Sequence, residues 1–142
     1  MNPEPPNVHH LAERILAYEQ AIIPTLGQPF PTFFIFEKLS PHFITMMGGY
    51  AYQQLLERAL VLASKEVPWL SKTYINNDGL IDGIGEIESN ITPADFAEGK
   101  VALLAHLIRL LNDIIGVSMT LRLLRDVWTE LADKTINQGK TA

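Results

Sequence analysis

The chain has 142 residues, 47% hydrophobic and 19% charged, with a net charge of -5 and no cysteine. That length suits one domain with a real core, and the composition is far from that of a disordered chain. The acidic balance, without any run of Lys or Arg, opposes binding to nucleic-acid phosphates, and the lack of cysteine excludes disulfides, thiolate nucleophiles and Cys-ligated zinc.

The first residues, "MNPEPPNVHH", read as a Pro-rich arm over residues 1–7. They hold no basic segment followed by an apolar run, so no secretory signal is expected and the cytoplasm is the expected location. In "NVHHLAERILAYEQAII", Leu11, Ile15, Tyr18 and Ile22 recur at three- and four-residue spacing. This predicts an amphipathic helix, with Asn7 as its N-cap and Pro24 followed by Gly27 as its end.

"QPFPTFFIFEKLSP" suits a short buried helix or a strand, and a short helix from Pro31 to Leu39 is expected. Ser40 then acts as an N-cap with Pro41 at the first position of a long helix, where its missing N–H costs nothing. Tyr52, Leu55, Leu56, Ala59, Leu60, Ala63 and Val67 form its apolar stripe, and Pro68 stops it. The early pair Gly48 and Gly49 marks a kink or a close approach of another backbone.

Between Lys72 and Ser89 the chain is glycine-rich, with Asp78 and Gly79 set between "TYIN" and "LIDG". Asp-Gly favours a tight turn, which predicts a two-stranded hairpin over residues 73–84. "ITPADF" is a helix start: Thr92 caps, Pro93 opens the helix, Asp95 follows three residues after the cap, and Ile91 faces Phe96 as a hydrophobic staple. The sequon "NIT" from Asn90 to Thr92 is better explained by this cap than by glycosylation.

From Lys100 to Trp128 the chain is at its most apolar, yet Arg109, Asp113, Arg122, Arg125 and Asp126 interrupt it, so no membrane span is expected. Ala102, His106, Arg109, Asp113, Gly116 and Thr120 align along one helix face. That places His106 away from the leucines and lets Arg109 pair with Asp113. The polar stripe slips phase after Gly116, which predicts a break or bend there and a second helix to about Lys134; a long helix with different neighbours in its two halves gives the same pattern. The tail, residues 135–142, is polar and expected to fray.

Few residues carry recognisable chemistry. His106, Arg109 and Leu110 resemble in part the H-x-x-K-G pattern of histidine-phosphotransfer domains, with Arg for Lys and Leu where that family has glycine. The resemblance implies a phosphorylatable His106 beside Arg109. His9, His10 and Glu13 are too few for a metal site, and the chain has no Glu-x-x-His pair for a di-metal bundle. His42 sits in a helix-capping region. The acidic loop of Asp78, Asp82, Glu86 and Glu88 fails the EF-hand spacing, which would put Tyr74 at the first ligand position. Nucleophile-elbow, phosphate-loop and dinucleotide motifs are absent from the sequence.

Phe30, Phe33, Phe34, Phe36, Phe43, Met46, Met47 and Tyr50 exceed what one helix face buries. They either complete the core of the single chain or form an interface. The expectation is therefore one all-α domain, a bundle of four to five helices with a small β-hairpin between its halves. The expected function is a non-enzymatic cytoplasmic interaction or scaffold module, a homodimer through apolar helix faces without cofactor, metal, nucleic acid or membrane. The alternatives are a phosphotransfer-like signalling bundle using His106, and a small-molecule-binding bundle whose pocket lies between the Phe-rich segment and the leucine-rich helix.

Overall fold

Hydrophobic spacing of three and four residues dominates the chain, and helices dominate the structure. The computed structural model describes residues 8–26, 33–86 and 90–127; the expected arm, tail, Asn7 cap and Phe30 lie outside them. Among the described residues, five α-helices and one small antiparallel hairpin make an all-α bundle with a β insertion, as expected. They are α1 (Val8–Leu26), α2 (Phe34–Met47), α3 (Gly49–Glu66), β1 (Tyr74–Ile75), β2 (Ile81–Asp82) and α4 (Pro93–Ile115). A fifth helix, α5, covers residues 117–127 of the described chain. A 3-10 turn, Pro68–Lys72, joins α3 to the hairpin.

The centre of the bundle is α4, packed against both α1 and α3. Leu103, Leu104, Leu107 and Leu111 are fully buried there, and each contributes roughly 1.5–3 kcal/mol of hydrophobic stabilisation. Thr92 caps the helix by accepting a hydrogen bond from the Asp95 N–H at 3.0 Å, the geometry read from "ITPADF". On α1 the buried stripe is Val8, Ala12, Ile15, Leu16 and Glu19, while Leu11 and Tyr18 are only partly buried. The helix passes through Pro24, and its described part ends at Leu26; the expected stop at Gly27 lies outside the described residues.

Ser40 and Pro41 do not start a helix; α2 runs straight through them. The Ser40 hydroxyl turns back and donates to the Phe36 carbonyl at 3.2 Å instead of accepting a forward N–H. Pro41 leaves the Glu37 carbonyl without its helical donor, but both residues lie on the exposed side, where water can replace the missing bond. The chain breaks at Gly48 instead, with φ +91° and ψ 154°. Across this break Phe43 and Tyr52 stack, their rings 5.7 Å apart and 6° from parallel.

In the hairpin Tyr74 pairs with Asp82, and Ile75 with Ile81. The Asn76 side-chain oxygen accepts from the N–H groups of Asp78 and Leu80, and the Asn76 N–H donates to the Leu80 carbonyl. Gly79 closes the turn at φ +80°. This is a three-residue connection with glycine in the left-handed region, one residue longer than a two-residue Asp-Gly turn.

Candidate functional site

Three arrangements stand out from the packed interior: a buried ion pair, a His–Glu pair at a helix seam, and an apolar end of the bundle where two helices break.

The ion pair joins Lys100 of α4 to Glu19 of α1, Nζ to Oε1 at 2.5 Å, with side chains 3% and 0% exposed. The other carboxylate oxygen accepts the Ile35 N–H at 2.7 Å. Ile35 is the second residue of α2, whose preceding residue Phe33 offers no side-chain acceptor. Glu19 therefore caps α2 from a different helix, satisfying one of the donors that every helix start leaves open. Lys100 also lies 4.8 Å above the Phe96 ring, a favourable place for a desolvated ammonium. Glu37, in the first turn of α2, titrates above the ordinary carboxylate range, first because burial disfavours its charge and then because Glu19 is close; Lys38 opposes the shift. These charges lock three helices together. Both members of the pair are closed off from solvent, so their chemistry is structural.

His106 is not on a free polar face. Its Nε2 meets Glu66 Oε2 of α3 at 2.7 Å, and the ring is 16% exposed against 56% for the glutamate. The reason is that α4 is covered on two sides, by α1 and α3. Ala102 and Thr120, at the ends of the expected polar stripe, are buried, and within it Arg109 and Asp113 are exposed. No ion pair joins Arg109 to Asp113 among the described residues. Leu110 is partly buried against the core. The ring is neither sealed among leucines nor open to a docking partner.

The Phe-rich segment is interior. Phe33, Phe34, Phe36 and Phe43 are 5% exposed or less, which removes them as surface contacts of the single chain. Phe33 packs edge-on to Phe96 at 5.2 Å, and Trp69 lies against the same ring. Met47 is partly buried against the core, whereas Met46 and Tyr50 reach solvent at 37% and 78%.

Those two are among several exposed apolar side chains near the helix breaks. Nine large hydrophobic residues are exposed among the described residues, and six of them flank Gly48 or Gly116: Ile44, Met46, Tyr50, Ile114, Val117 and Met119. The two glycines share one conformation, φ +91° and ψ 154° against φ +89° and ψ 155°. Glu66 meeting His106, and the following turn meeting the start of α4 through Trp69 and Phe96, show α3 and α4 running in opposite directions. The start of α3 at Gly48 and the end of α4 at Gly116 therefore fall at the same end of the bundle. Leu123 of α5 shares a shallow groove of about 390 Å³ there with Pro41, His42, Thr45 and Met46 of α2.

No cluster of three or more potential metal ligands occurs among the described residues. His9 and His10 both approach Glu13, at 3.4 and 3.7 Å, on the exposed side of α1. No described helix is long and apolar enough to cross a membrane. No protein-family model, curated protein or solved structure matches the chain.

Proposed function

We propose that this chain is a protein-interaction module that pairs with a second copy of itself through the end of the bundle marked by Gly48 and Gly116. One observation carries the reading: apolar side chains that the bundle leaves uncovered gather on both sides of the two helix breaks. Burying them removes apolar surface from water, the main favourable term in association, and Met and Tyr are typical of such contact surfaces.

A second copy fits because charges of both signs flank the patch, with Asp113 before Gly116 and Arg122 after it. A two-fold arrangement places like patches face to face and can bring acid to base at the rim. The phosphotransfer reading is weaker. The His106 Nε2 already contacts the Glu66 carboxylate, and that carboxylate repels an incoming phosphoryl group.

The test is the mass of the chain in solution. Light scattering of the protein and of the double variant Tyr50→Glu, Val117→Glu should show a dimer that the charged variant reduces to a monomer. Equal masses for the two proteins would reject the surface.

A further inference from the structure

We propose that α5, residues 117–127, exchanges between two copies of this chain, so that each copy's α5 lies on the other's α2; this rests on the self-association reading and specifies how the copies join. Gly116 is the single non-helical residue between α4 and α5. Its N–H donates to the Asn112 carbonyl and its own carbonyl accepts from the Thr120 N–H, so helical bonding runs up to the break and resumes at once. Rotation at this one residue from φ +89° to ordinary helical angles joins α4 and α5 into a continuous rod roughly 50 Å long. A Cβ built at Gly116 meets no atom within 4 Å, so only the backbone angle opposes a side chain at the hinge.

A straightened rod cannot exist alone in water. Its distal part carries Thr120, Leu124 and Val127, which are at most 4% exposed in the closed chain. The surface shaped for that face is the one α5 vacates, and it borders α2, where Leu123 shares a groove with Pro41, His42, Thr45 and Met46. A second copy offers an identical vacated surface, so exchange restores the contacts of the closed form and costs little beyond the hinge. It also accounts for the apolar residues at the hinge. Ile114, Val117 and Met119 are 62%, 39% and 40% exposed in the closed chain, and they lie where two exchanged rods cross. Gly48 has the same geometry but is a poorer pivot, because the chain before it carries Glu19, and moving that segment would separate Glu19 from Lys100.

Because the chain has no cysteine, exchange can be read by cross-linking. Thr45→Cys and Leu123→Cys, on opposite walls of one groove, are introduced together, with and without Gly116→Ala. The proteins are refolded over a range of concentrations, closed with a short bismaleimide, and run on denaturing gels beside light scattering of the uncross-linked samples. Alanine disfavours the positive φ and favours the continuous helix, so G116A should tighten dimerisation at least tenfold. The cross-link should join two chains, in a proportion that rises with concentration. A dimer whose cross-links all stay within one chain would overturn the exchange and leave surface self-association standing. Monomers with only within-chain cross-links in both backgrounds would overturn both.

Discussion

Lys100 and Glu19 meet at 2.5 Å in an interior that leaves neither more than 3% exposed, and the same carboxylate caps α2 through the Ile35 N–H. Removing one partner strands the other charge without water. Lys100→Met and Glu19→Ala are each expected to destabilise the chain by about 3–5 kcal/mol. The double replacement Glu19→Leu, Lys100→Met should recover much of that loss, although the Ile35 N–H then lacks its acceptor. Urea unfolding of the three variants checks this; additive losses in the double variant would show that the charges do not act as a pair.

Gly99 of α4 lies directly under Trp69, and a Cβ added there would overlap the indole ring. In an open helix Gly→Ala stabilises by about 1 kcal/mol. Here the overlap decides the sign, and Gly99→Ala should destabilise by about 1–3 kcal/mol. Thermal unfolding followed by tryptophan fluorescence measures it, and a raised melting temperature would contradict the packing.

Tyr52 is buried on Phe43, and its hydroxyl makes no hydrogen bond of good geometry. Burial pushes its pKa up to about 12, with the nearby Ser40 hydroxyl tempering the shift. Above pH 10 the unfolded chain has lost this proton while the folded chain keeps it. The folded state then binds more protons, so stability falls as pH rises from 10 to 12, by up to about 1.4 kcal/mol per pH unit. Tyr52→Phe should flatten that decline and cost little at neutral pH. An unchanged alkaline slope in the variant would count against it.

The cap of α4 gives a smaller test. Thr92→Ala removes the acceptor for the Asp95 N–H and is expected to cost about 0.5–2 kcal/mol in chemical denaturation. No measurable loss would mean that Pro93 and the core alone set this helix start.

Local signals in the sequence were legible wherever one residue's conformation decides the outcome. Thr92–Pro93 begins α4, Gly116 breaks the chain after it, and Gly79 closes the hairpin. Ser40–Pro41 looked like a helix start by the same rules, but tertiary packing of Phe36, Leu39 and Phe43 carries α2 through it. The Glu19–Lys100 pair needed a comparison between helices. Glu19 follows Ile15 by four and Leu16 by three, and Lys100 precedes Leu103 by three and Leu104 by four. A lone acid on one apolar stripe and a lone base on another are the trace such a pair leaves. The polar stripe through His106 does not reveal its neighbour, because a polar stripe on a central helix need not face water; here α3 supplies Glu66.

The central claim is that two copies of this chain associate through the Gly48 and Gly116 end. Sedimentation equilibrium of the 142-residue chain over a hundredfold range of concentration tests it most directly. The account predicts a mass approaching twice that of one chain as concentration rises. A single-chain mass across the whole range would contradict it.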